Sequence, residues 1–429
     1  MIADLLERTA RRASHADLAL KTDETTTLQY TERGSACATT AAAQGLNLRV
    51  VCEGRVGFAG STGDDAEDIL GRAIESAGLG EFSVLQLPPP AALPAVITHV
   101  PRAAAAGLPE LTACCDLVRD RLGAGAAQLG LLLERSIGSV RVANTEGVDA
   151  SYDVSMVSLL VTAARVSDGR RVVIEARLSG SDLPVLQDLE HLVAMVRQRL
   201  AWTERSAALN AGRVRALFLP SALPTLLLAL EQALAGSAAI HGTSPLASRR
   251  GTRVLSDLLS VTDDPLVDGR PGSRPIDDEG VVSRPVPLVR GGVLENLIFD
   301  LETAGRLGAS PTGHGRRATF GKPQPACTNL MVEPGEATWE DLLSAVGDGL
   351  VLERVWNEGP ANMVGGTFAL PAVLAWRVSG GEVVGLLPEL TVAGNAHDLL
   401  NRVVAVGREA LWVGSRSAPP LVVDGLSVF

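Results

Sequence analysis

A chain of 429 residues exceeds a comfortable single hydrophobic core, so two domains are expected. A hydrophobic fraction of 46% excludes a disordered chain, while a net charge of −11 with 3% aromatics excludes nonspecific binding to phosphate backbones. The longest apolar stretches, around 223–230 and 154–166, fall short of the roughly 20 apolar residues that span a bilayer, so no membrane is expected as a partner.

Residues 1–8 carry acids and no apolar core segment, which is not a secretory signal, and a cytoplasmic location is expected. Residues 17–20 and 25–30 read as short strands, 45–52 as a stronger one, and 55–59 as its return. Asp64 and Asp65 are placed to cap a helix running to Ala77, with Gly78 as its stop. The Pro/Ala-rich stretch 79–107 predicts an extended connection. A second unit repeats this plan: a helix over 108–122, strands over 129–135, 139–143, 152–166 and 171–178, then a helix over 182–203. The repetition suggests an internal duplication.

The pattern changes around 207–213, which sets the expected domains at 1–207 and 208–429. In the second, strands are predicted over 215–219, 259–262, 286–289, 294–299, 328–333, 367–378, 383–387 and 421–428. Helices are predicted over 221–235, 339–346 and 397–404. The expected class is α+β: an N-terminal α/β domain with a candidate duplication, then a mostly antiparallel, partly barrel-like β domain with few helices.

A catalytic zinc site needs three protein ligands and an open position. The histidines are His15, His99, His191, His241, His314 and His397, and no two are close enough to share a helix face. No phosphate-binding loop with a glycine–lysine end exists. Gly313-His314-Gly315-Arg316-Arg317-Ala318 follows a turn and precedes no helix, so the dinucleotide reading fails. Cys37, Cys52, Cys114, Cys115 and Cys327 form no CxxC pair and fit reduced thiols, with Cys327 read as packing. Asp263-Asp264-Pro265 and Asp277-Asp278-Glu279-Gly280 read as turn and cap residues, or as oxygen ligands for Ca²⁺ or Mg²⁺. His241 beside Thr243, and His314 beside Arg316 and Arg317, sit in segments that read as solvated loops. Either can meet a peptide carboxylate or a partner subunit.

Several stretches in order resemble the TldD/PmbA family: 45–50 with 57–59, 143–147, 261–265, 277–280, 291–294, 312–317, Thr328-Asn329, 391–395 and 419–428. Asn329 joins the contact candidates on that ground. The resemblance implies a metallopeptidase in which one subunit bears zinc on a helix reading His-Glu-x-x-x-His, completed by a Cys near the C-terminus, and its partner bears none. Anchoring on Gly236 and Gly242-Thr243-Ser244 puts Leu227 and Gln232 at the two His positions and Leu228 at the general-base Glu. Residues 411–416 offer no Cys. Catalytic and metal residues are therefore expected to be absent from this chain, with Ser221 as cap and Gly236 as stop of a helix rebuilt for packing.

The resemblance thus implies the metal-free PmbA/TldE-type subunit of a heterodimer, its zinc-bearing TldD-like partner cleaving flexible peptides, including modified precursors. The family's older label, modulator of DNA gyrase, gains nothing from the acidic charge, and no nucleic-acid partner is expected. Two other readings stand beside this one. The chain can be a homodimeric peptidase with a metal held by Asp277, Asp278, His241 or His314, or a peptide-binding module without a cleaving partner.

Overall fold

The computed structural model describes residues 2–31, 36–63, 65–123, 128–167, 169–356 and 362–429. One antiparallel sheet organises the first half. Its strands are β1 (His15–Tyr30), β2 (Ala36–Cys52), β3 (Arg55–Ser61), β4 (Gln128–Asn144), β5 (Asp149–Ser167) and β6 (Arg170–Gly180), in the order β3-β2-β1-β4-β5-β6. That order is symmetric about the β1/β4 pair, and each strand triplet is followed by a helix, α2 (Ala66–Gly78) or α5 (Leu186–Trp202). This is the arrangement a duplicated strand-strand-strand-helix unit gives. Helix α1 (Ile2–Ala10) precedes the sheet, and α3 (Pro101–Ala105) and α4 (Leu108–Leu122) lie between the two triplets.

The short strands predicted within 17–30 and 129–143 are single long strands. Their polar middles stay in the ladder because side chains bond across it: Thr22 Oγ1 lies 2.9 Å from Ser139 Oγ. Asp65 caps α2 by accepting the N–H groups of Glu67 and Asp68, while Gly78 lies inside the helix and Leu79 ends it. Asp64 lies outside the described residues. Helix α5 starts at Leu186 and not at 182, because Asp182 is held by Arg102 and Pro184 intervenes.

In the second half, β7 (Gly212–Phe218), β14 (Gly349–Val355), β15 (Thr367–Ser379), β17 (Leu390–Asn395) and β21 (Leu421–Val428) close a five-strand ring. Strands β16 (Glu382–Leu386) and β18 (Val403–Val406) extend it. A second sheet contains β8 (Val261–Asp263), β9 (Val286–Arg290), β10 (Val293–Leu294), β13 (Leu330–Val332), β19 (Leu411–Val413) and β20 (Arg416–Ala418). A small ladder pairs β11 (Gly315–Arg316) with β12 (Gln324–Pro325). The helices are α6 (Pro224–Leu234), α7 (Gly236–Ile240), α8 (Leu301–Leu307), α9 (Trp339–Val346) and α10 (Ala396–Asn401). Among the described residues no helix is long and apolar enough to cross a membrane.

Both faces of the ring are buried, which explains its continuous apolar runs. Ala216, Phe218, Leu350, Leu352, Leu421 and Val423 share one core with the leucines of α6. The alternate residues Leu217, Val351 and Val422 join another with Trp376 and residues of α4, α5 and α9. Two predicted elements are corrected here. The strand over 294–299 stops at Leu294, because the N–H groups of Glu295 and Asn296 both turn onto the Leu288 carbonyl. The helix over 397–404 stops at Asn401, because Val403–Val406 pairs with β21.

Candidate functional site

Two polar centres are buried in this fold. The first joins the halves. In β2, Leu46, Leu48 and Val50 enter one core, so Asn47 and Arg49 face the opposite side, where residues 314–321 cover them. Arg49 is 1% exposed and binds Asp17 of β1 through two hydrogen bonds of 2.8 Å. Its third donor reaches Glu279 Oε1 at 2.6 Å. Arg317 pairs with the same Asp17. Asp278 accepts Lys21 Nζ at 2.6 Å and the Arg317 N–H at 2.8 Å. Asp277 accepts the N–H groups of Glu279, Val281 and Gly315. The acidic turn thus folds as a cap, and its carboxylates meet cations from the other half of the chain.

The glycines of 313–315 serve this packing. Gly313 has φ +80°, and a Cβ on Gly315 would lie 2.4 Å from Glu279 Oε2.

Burial pushes the Glu279 carboxyl up to about 8, against the pull of Arg49, and also raises Asp277 and Asp300. A carboxyl with a raised native pKa holds its proton better folded than unfolded. Its stabilisation is complete below the unfolded value of 4.5 and is lost as pH rises toward about 8. The urea midpoint is therefore expected to fall between pH 5 and pH 8, and Glu279→Gln to flatten that fall. A midpoint that stays level or rises over this window contradicts the assignment.

The second centre surrounds α6. Leu227 is 1% exposed inside the core, Leu228 is half-buried and Gln232 is exposed. The helix is continuous from Pro224 to Leu234, and Leu223 is its N-cap, with no side-chain hydrogen bond. Ser221 is therefore not the cap. Ala235 ends the helix and Gly236 opens α7, where a Cβ would meet the Phe299 ring at 2.6 Å. Glu231 accepts Arg416 Nε at 2.5 Å and Nη2 at 2.8 Å, a bidentate ion pair tying α6 to β20. Burial raises the Glu231 carboxyl and Arg416 opposes the rise. Cys327 lies beside Asp263 and Glu231, so burial and both carboxylates push its thiol well above 9.

The contact candidates divide into two groups. His241, Thr243 and Arg316 are exposed; the His241 ring bonds the Ser237 carbonyl and the Thr243 hydroxyl bonds that of Ala238. His314, Arg317 and Asn329 are buried and bound within this chain. His314 is a correction to the solvated-loop reading. It is fully buried, with Nε2 at 2.9 Å from Asp263 Oδ2 and Nδ1 at 2.9 Å from Thr312 Oγ1. Asp263 also accepts the N–H and hydroxyl of Thr328. Asn329 ties Gly272, Ser273 and Asp264 together. The residues proposed to hold a cryptic metal do not assemble. His241 stands exposed, and Asp277, Asp278 and His314 have the internal partners described above. Among the described residues no cluster of three or more His, Cys, Asp or Glu is arranged to hold an ion.

The sequence reading missed Asp17, Arg49, Glu231 and Arg416. A lone arginine inside the apolar strand 46–51 is the one local signal, since a charge there requires a buried partner.

Residues 211–429, just over half of the chain, match the family model described as the PmbA/TldA metallopeptidase C-terminal domain. The chain belongs to the TldD/PmbA metallopeptidase family. Among curated relatives, a metalloprotease of Methanocaldococcus jannaschii is 31% identical over 170 residues, 40% of this chain and 38% of that protein. The metalloprotease PmbA homolog of Haemophilus influenzae is 28% identical over 221 residues, 51% of this chain and 47% of its own length. The chain spans about two fifths of the length of the first relatives it matches. The solved structure of TldE from Thermococcus kodakarensis shares the fold with a TM-score of 0.87 at 20% identity, over 100% of this chain and 99% of that one. A structure described as a modulator of DNA gyrase from Thermotoga maritima gives 0.89 at 20% identity, over 100% of both chains.

The residues present do not fit the zinc that the family resemblance implies. Leucine offers no donor at 227 or 228. Helix α6 runs unbroken from Pro224 to Leu234, and along it Leu227 faces the core while Gln232 is exposed. Strand β20 presents Arg416, a cation, toward Glu231.

Proposed function

We propose that this chain is the non-catalytic subunit of a heterodimeric TldD/TldE-type zinc metallopeptidase that degrades or matures flexible peptides, including modified precursors. A TldD-like subunit supplies the zinc and cuts; this chain completes the chamber and excludes folded proteins. The reading is carried by α6, where Leu227 is locked in the core and the Glu231–Arg416 pair ties helix to strand in place of a metal centre. A heterodimer of this kind works in the cytoplasm, where the free cysteines stay reduced.

The test mixes purified chain with a His-Glu-x-x-x-His family member from the same source. Hydrolysis of an unstructured fluorogenic peptide should appear only in preparations containing the second protein. The two chains should co-elute one to one. Separate elution of the chains, with no effect of this chain on cleavage, would remove the heterodimer.

A further inference from the structure

A cleft of about 620 Å³, within the usual range for ligand pockets, opens beside the start of α6 and the β19–β20 hairpin. Strand β6 and the start of α5 form one wall; residues 219–221, 268–270 and 411–413 form the other. Leu178, Leu183, Leu192 and Met195 give it an apolar lining. Most of its arginines are committed. Arg102 holds Asp182 at 2.9 Å, Arg354 holds Glu175 at 2.7 Å, Arg199 lies 2.9 Å from Glu353, and Arg177 donates to Ser158 Oγ at 3.0 Å. Arg270 is the exception. Its guanidinium sits 4.7 Å over the Trp412 ring and makes no ion pair or hydrogen bond among the described residues. Its charged neighbour is Asp188, and burial pulls the group below the usual arginine range. A planar cation stacked on an aromatic face is held ready for a planar anion.

The side chains of Arg199 and Glu353, 9% and 7% exposed, close the floor of the cleft as an ion pair of 2.9 Å. Strand β6 ends its sheet, with the Val173 carbonyl taken by Arg354 and the Ser181 N–H by the Gly269 carbonyl, so an extended backbone can meet the stretch between them.

We propose that this cleft binds a peptide carboxylate, with Arg270 as its counter-ion and Trp412 fixing the guanidinium. The carboxylate rests on the geometry; that its bearer is a peptide rests on the proposed function. The test is calorimetry on the full chain alone with three probes: acetyl-Ala-Leu-Ala-Leu as free acid, the same peptide as amide, and an amide with one Leu replaced by Glu. At least one acidic probe should bind about tenfold or more tightly than the neutral amide. Arg270→Gln should erase the difference and Arg270→Lys should restore part of it. The Gln variant should melt close to wild type, since it loses only the stacking on Trp412 and the attraction of Asp188 and no hydrogen bond. Preference for the free acid alone assigns a C-terminal carboxylate; equal binding of both acids assigns any accessible one. Equal affinity for all probes, absence of binding, or a preference that survives Arg270→Gln would overturn the site. No cleavage is read, so this result and the heterodimer test fail independently.

Discussion

Arg49→Leu is expected to be among the most damaging single changes in this chain, destabilising it by about 3–5 kcal/mol. The reason is what remains behind. Asp17 and Glu279, both at most 1% exposed, would lose their shared partner and stay buried as carboxyl groups. Arg317 still faces Asp17, but among the described residues Glu279 would keep only the Leu301 N–H as a hydrogen-bond donor. The ion pairs need add little net stability for this to hold, because breaking a buried pair exposes its desolvation penalty. Arg49→Lys should recover only part of the loss, since an ammonium cannot make the two parallel bonds to Asp17. A combined Arg49→Leu, Asp17→Asn, Glu279→Gln chain should lose less than three separate losses predict. The check is the urea midpoint of each variant. An Arg49→Leu unfolding free energy within about 0.5 kcal/mol of wild type, the range of an ordinary surface change, would mean the network does not join the two halves.

Grafting the missing motif should fail for a related reason. Leu227→His with Leu228→Glu and Gln232→His restores the letters His-Glu-x-x-x-His, yet the imidazole at position 227 would enter an apolar core. Loss of the leucine packing and burial of an imidazole together cost about 2–5 kcal/mol. The second histidine would point to solvent, and Arg416 would still occupy Glu231. The graft is expected to melt earlier than wild type and to retain no zinc after dialysis. Stoichiometric zinc in a graft as stable as wild type would show that α6 is still shaped for a metal.

What the sequence disclosed depended on how local the physics is. Asp65 caps α2 through bonds to its own neighbours, and Thr338 starts α9 the same way, so both helices were visible. Strand β14 was not, because Gly349–Val355 is buried on both faces and shows no alternation to read. The acidic run at 277–279 correctly suggested a turn. Its second task was hidden, since Arg49 is 230 residues from Glu279 and Arg416 is 185 residues from Glu231. His314 misled for the same reason: flanking glycines suggest an open loop, and only the fold brings Asp263 to its ring. That the stretch 227–232 carries no histidine is legible as letters. The opposed directions of its two outer positions follow from the unbroken helix.

Metal analysis of the purified full-length chain, alone and after dialysis against zinc, bears most directly on its role. We expect substoichiometric metal that washes out, and no peptide hydrolysis that a chelator abolishes. One tightly held zinc per chain, lost together with peptidase activity on chelation, would make this chain a catalytic subunit in its own right.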